Sequence, residues 1–121
     1  MKLLVSVRSV EEASLAADAG VDFIDLKEPG QGALGGLPVD TIAAIVAALR
    51  ARNGEHAISA TIGDVPMHAA DHIARCVEAV GGCGVDYVKV GIQREASARG
   101  VLDLLAARAG PVVPVFIADK G

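Results

Sequence analysis

The sequence predicts an α/β fold, on three observations. Short runs rich in Val, Ile and Leu alternate with alanine-rich stretches of helical period. The segment Ala19-Gly20-Val21-Asp22-Phe23-Ile24 returns as Cys83-Gly84-Val85-Asp86-Tyr87-Val88, so the chain repeats itself after two strand-helix units of roughly thirty residues each. Polar residues recur at the C-terminal ends of successive strands: Ser6, then Asp25 and Lys27, then Ser59 and Thr61, then Lys89, then Asp119. Regular alternation implies right-handed crossovers and a parallel sheet. The polar rim selects a (β/α)8 TIM barrel, whose chemistry sits at that end of the strands. An open dinucleotide-binding sheet fits less well, because the first strand ends in Ser6-Val7-Arg8-Ser9 with no G-x-G-x-x-G.

The elements follow in order. Residues 2–7 are an apolar strand, and Ser9-Val10-Glu11-Glu12 then reads as a serine cap with an acidic first turn, opening a helix that Gly20 stops. Residues 21–27 form the second strand, followed by the Gly/Pro-rich loop Glu28 to Gly36 and a helix from Pro38 to Arg52. That loop is long for a strand-helix connection, and its N–H groups suit a phosphate or a lid. The third strand spans 56–62, and after Gly63-Asp64-Val65-Pro66, where Asp64 is placed to cap, a helix runs from Ala69 to Val80. A fourth strand at 85–91, a fourth helix at about 95–109 and a fifth strand at 112–118 complete the chain. A whole barrel takes about 200–250 residues. The 121 residues are therefore expected to be the N-terminal part of a single barrel domain in a longer enzyme. The alternative is a half-barrel that pairs with another chain to cover its strand edges.

Composition narrows the function. A 52% hydrophobic chain with mean hydropathy +0.46 and only 2% aromatics builds its core from aliphatic residues, as strands covered on both faces require. A net charge of −4 and a pI near 5.2 leave no basic footprint for nucleic acid. No apolar run approaches the length of a membrane span, and the run at the N-terminus is too short for a signal peptide and is followed at once by acidic residues, so the expected location is the cytoplasm. Cys76 and Cys83 read as reduced, small apolar residues. His56, His68 and His72 lack the H-E-x-x-H arrangement, and no metal site is expected.

The candidate chemistry lies on the second and fourth strands. Side chains alternate along a strand, so Phe23, Asp25 and Lys27 share one face while Ile24 and Leu26 take the other. A lysine on a nearly apolar strand is costly unless paired or solvated, and a lysine among other cations gives up its proton more readily. The neutral amine attacks carbonyls. Lys27, Lys89 and Asp25 are the catalytic candidates; Ser6, Ser59, Thr61 and Asp119 are candidates to line the substrate pocket. Lys89 suits phosphate binding equally well. Asp25 suits either proton transfer or simple pairing with a lysine. Ser59 and Thr61 have no histidine partner in sequence, which argues against serine nucleophile chemistry.

Taken together, Leu3-Leu4-Val5-Ser6, Val21-Asp22-Phe23-Ile24-Asp25-Leu26-Lys27-Glu28-Pro29, Gly32-Ala33-Leu34-Gly35, Ser59-Ala60-Thr61-Ile62-Gly63-Asp64-Val65-Pro66 and Asp86-Tyr87-Val88-Lys89-Val90-Gly91 resemble one family. It is the (5-formylfuran-3-yl)methyl phosphate synthases of methanofuran biosynthesis, also called 4-(hydroxymethyl)-2-furancarboxaldehyde-phosphate synthases. The resemblance implies a TIM-barrel lyase that condenses two molecules of glyceraldehyde 3-phosphate, one first becoming dihydroxyacetone phosphate, with loss of phosphate and water. It implies no metal or organic cofactor, and a triose phosphate as the small-molecule partner. It makes Lys27 the Schiff-base lysine and places Asp25 and Lys89 in the active site. A further aspartate and lysine would lie beyond Gly121, so this chain alone is expected to be inactive. A homo-oligomer and a role in one-carbon metabolism, in a methanogen or a methylotroph, complete the expectation. The competing readings are a phosphosugar isomerase or aldolase-like barrel without this condensation, and a non-catalytic half-barrel.

Overall fold

The computed structural model describes residues 2–28, 36–52, 56–63, 65–92, 97–107 and 112–116. They form β1 (Leu4–Val7), α1 (Val10–Asp18), β2 (Phe23–Leu26), α2 (Val39–Arg50), β3 (Ala57–Thr61), α3 (Ala70–Gly81), β4 (Tyr87–Ile92), α4 (Ala98–Ala106) and β5 (Val112–Phe116). The five strands make one parallel sheet in the order β1-β2-β3-β4-β5. Sequential order means that the strand order never reverses, as it does in doubly wound sheets. The arrangement is consistent with part of a barrel.

One face of the sheet carries the core. Val7, Ile24, Leu26, Ile58, Ala60, Val88, Val90 and Ile92 point to the helices and are buried. They meet Ala13 and Ala16 of α1, Ile42, Ile45, Val46 and Leu49 of α2, Ile73, Val77 and Val80 of α3, and Val101 and Leu105 of α4. Consecutive helices also touch one another, which places them in a row over that face.

The opposite face turns from apolar to polar along β1, β2 and β3, and from Tyr87 to Lys89 on β4. By register and alternation it presents Leu4 then Ser6 on β1, Phe23 then Asp25 on β2, Ala57, Ser59 and Thr61 on β3, and Tyr87, Lys89 and Gly91 on β4. Leu4 is 58% exposed and Tyr87 39%, so the apolar end of this face is open to solvent.

The repeated Gly-Val-Asp segment now has a physical role. Gly20 and Gly84 follow α1 and α3 with φ of +76° and +92°, a region that favours glycine and turns the chain back towards the sheet. Two residues on, the Asp22 carboxylate accepts the Leu3 N–H at 2.8 Å, and the Asp86 carboxylate accepts the Ile58 N–H at 2.7 Å. Each aspartate ties its own strand to the preceding one just where the ladder begins. Asp86 is also held by Arg50 of α2 at 2.9 Å. Partial burial works against ionisation of Asp86, but the Ile58 N–H and the Arg50 guanidinium outweigh it and hold the carboxyl below its ordinary value.

Candidate active site

The polar end of the open face is built from adjacent strands. Asp25, in the middle of β2, lies beside Ser6 of β1 and Ser59 of β3 in the parallel register. Its carboxylate is almost fully buried, with the side chain 3% exposed. Two donors satisfy it: the Ser59 hydroxyl at 2.7 Å on Oδ1 and the Lys89 ammonium at 3.3 Å on Oδ2. Lys89 projects from β4, two strands away, and strands are about 4.8 Å apart, so its stem must pass over β3. On β3, Thr61 pairs with Lys89 and Ser59 with Asp25, so the lysine reaches back diagonally across the strand, and Ser59 supplies the second donor. Among the described residues, no buried side-chain nitrogen or oxygen lacks a partner.

Asp25 and Lys89 are equivalent positions of the internal repeat, 64 residues apart, and they pair with each other. The sequence suggests two comparable lysines, at 27 and 89; the fold makes them different. The position equivalent to Lys27 is Gly91, which has no side chain. Lys27 follows β2, its backbone N–H still bonded to Val7 at 3.1 Å. It lines a cavity of about 300 Å³ with Ser6, Val7, Arg8 and Glu12 at the C-terminal ends of β1 and β2. So the expected trio divides into a buried Asp25 paired with a half-buried Lys89, and a half-buried Lys27 that lines its own cavity.

Of the pocket-lining candidates, Ser6 borders the Lys27 cavity, whereas Ser59 turns its hydroxyl to Asp25. Thr61 is buried, and its Oγ1 accepts the Gly63 N–H at 3.2 Å. Asp119, Asp64 and residues 29–35 of the glycine-rich loop lie outside the described residues. Arg8 was missed by reading the strand as ending at Val7; continuing the alternation from Leu4 and Ser6 by one step finds it.

A second cavity, about 280 Å³, lies between α2 and α3 and is lined by Leu37, Val39, Ile62, His72, Arg75 and Cys76 among others. Cys76 is 3.7 Å from His72 Nε2, one helical turn away. Cys83 donates towards the Ala79 carbonyl at 3.4 Å, and burial, then the Asp40 charge, push its thiol above the usual value. Among the described residues no group of three or more His, Cys, Asp or Glu could hold a metal ion, and no helix is long and apolar enough to cross a membrane.

The family described as 4-HFC-P synthase matches residues 3–121, which is nearly the whole chain. The chain belongs to that family. It is 41% identical over 108 residues to the (5-formylfuran-3-yl)methyl phosphate synthase of Methanosarcina mazei, covering 87% of this chain and 43% of that protein. It is 34% identical over 106 residues to the synthase of the same name from Methanopyrus kandleri, covering 88% and 43%. A Methylorubrum extorquens protein that bears the name provisionally is 37% identical over 118 residues, covering 98% of this chain and 47% of its own length. The chain thus spans a little under half the length of the curated relatives it matches.

Proposed function

We propose that the protein carrying this chain is a cytoplasmic (5-formylfuran-3-yl)methyl phosphate synthase, a TIM-barrel lyase that condenses two triose phosphates through a Schiff base on Lys27. The observation that carries the reading is that Lys27 lines a cavity at the C-terminal ends of β1 and β2, beside the sheet face that holds the Asp25–Lys89 pair. Family membership and the names of the relatives support it. In this reading Lys27 Nζ attacks the carbonyl carbon, and loss of water gives a protonated imine. That cation draws electrons from the adjacent carbon, a proton leaves, and the resulting enamine carbon attacks the second carbonyl. Asp25, already charge-paired with Lys89, stabilises cationic charge on this face. The remaining groups of the site would come from strands outside this chain.

The test is reductive trapping. The full-length protein is incubated with glyceraldehyde 3-phosphate and borohydride, and peptides are mapped by mass. A covalent triose adduct at Lys27, absent in Lys27→Met, is the expected result. Normal product formation with Lys27 unmodified would overturn the covalent step and favour proton transfer by carboxylate and lysine alone.

A further inference from the structure

Condensing two triose phosphates brings two phosphate groups into one site, whereas barrels commonly grip a single phosphate with the loops after strands seven and eight. The β1–β2 end of this chain offers a second grip. Ser6, Arg8 and Lys27 line one cavity of about 300 Å³. Ser6 on β1 and Lys27 just past the end of β2 flank it, and Arg8, one residue past the end of β1, lines it with them.

The state of the Arg8 side chain matters most. It is more than half exposed and engages two carboxylates loosely, Glu12 at 4.0 Å and Glu28 at 3.6 Å, beyond good hydrogen-bond distance. Glu12 is otherwise committed, because its Oε1 accepts the Arg8 backbone N–H at 2.8 Å while its own N–H bonds the Ser9 hydroxyl at 3.1 Å. This pair of bonds is a capping box displaced by one residue. It fixes the β1–α1 turn and so aims Arg8. Glu28, the neighbour of Lys27, is the carboxylate that an arriving anion would replace. A phosphate offers the guanidinium fork a bidentate partner with more charge than Glu28 does.

We propose that Ser6 and Arg8, beside Lys27, form an oxyanion subsite that holds the phosphate of the triose whose carbonyl Lys27 captures, and that Glu28 is the resident counter-ion this phosphate displaces. The inference rests on the Schiff-base reading for its substrate, but its anion-binding part stands on geometry and is tested separately. It also carries an unusual sign: removing one charge weakens binding, and removing the other strengthens it.

The experiment titrates the full-length protein with inorganic phosphate, followed by calorimetry, in wild type, Arg8→Gln, Arg8→Lys and Glu28→Gln. Arg8→Gln should weaken phosphate binding about tenfold or more, as loss of a charge-assisted bidentate contact does. Arg8→Lys should recover part of that loss, and Glu28→Gln should tighten binding a few-fold. Equal affinity in wild type and Arg8→Gln, or unchanged or weaker binding in Glu28→Gln, would overturn the subsite. A second arm measures borohydride trapping at Lys27 with glyceraldehyde 3-phosphate and with unphosphorylated glyceraldehyde. Arg8→Gln should slow the first and leave the second unchanged. Trapping that is indifferent to the phosphate group overturns the subsite and leaves the lyase reading standing. Arg8-dependent phosphate binding in a protein that traps neither aldehyde upholds the subsite and overturns the lyase reading.

Discussion

Replacing Lys89 by methionine removes the ammonium from Asp25 while keeping an unbranched stem across β3. The Asp25 side chain, 3% exposed, would keep the Ser59 hydroxyl at 2.7 Å but lose its charged partner at 3.3 Å. Breaking a fully buried pair costs about 3–5 kcal/mol. Here Lys89 is 23% exposed and the face it lies on is open, so water softens the loss and about 2 kcal/mol is the expected cost. Asp25→Asn is milder, about 1 kcal/mol, because the amide oxygen still accepts from Ser59 and the freed lysine can reach solvent. The double variant carries neither orphaned charge, so its cost should fall short of the sum by about 1 kcal/mol or more. Urea unfolding of the four proteins measures this directly. With slopes of about 1–3 kcal/mol per molar for small domains, Lys89→Met should lower the midpoint by about 1 M. Costs that add to within about 0.4 kcal/mol would show that the two groups do not interact, and the account of the buried pair would fail.

Two further outcomes follow from the strand junctions. Asp86→Ala leaves the Ile58 N–H without its acceptor and Arg50 with the Gly84 carbonyl but no carboxylate, for an expected loss of about 1–2 kcal/mol at neutral pH. Because folding lowers this carboxyl below its ordinary 3.8, the contribution is present above that value and disappears as pH falls through the folded-state value. Thermal unfolding at pH 7 and pH 3 should therefore show the wild-type advantage shrinking at the acid end; an advantage independent of pH would contradict it. Gly36→Ala would bring a Cβ to 3.1 Å from the Gly63 nitrogen and 3.2 Å from its Cα, backbone that cannot swing aside as a side chain would. A loss of about 1–3 kcal/mol in a denaturant titration is expected, and an unchanged midpoint would mean that the two loops do not pack as described.

The alternation of strands and helices was legible because it rests on local signals. The cap at Ser9, the glycine that stops the first helix and the apolar strand runs are readable within a few residues, and the structure keeps them. Strand ends were read long. Residues 21–27 contract to Phe23–Leu26, because Val21 packs at the foot of α1, Asp22 bonds back to β1 and Lys27 has passed into the cavity. The face shared by Asp25 and Lys27 was readable from alternation. The Asp25–Lys89 bond was not, since joining residues 64 apart requires the register of three strands. Ser59 shows the same limit. The sequence predicts it at the polar rim as a pocket-lining candidate; that its hydroxyl donates to a carboxylate on the next strand follows only from the register.

The gradient along the open face explains why the two lysines diverge. A carboxylate as buried as Asp25 is tolerable only with donors on both oxygens, and Ser59 alone supplies one. The second must be a cation long enough to arrive from β4, so Lys89 is drawn back towards the apolar half of the face, where Phe23 and Tyr87 lie in adjoining positions. An ammonium committed in this way is poorly placed to form a covalent bond. Lys27 lies one step further along β2, past the apolar layer, and its position in the repeat is matched on β4 by a glycine, Gly91. It opens instead onto the cavity with Ser6 and Arg8. Of the two amines, the one at the rim opens on a cavity, as the proposed Schiff-base role requires, and the other is held by a carboxylate two strands away.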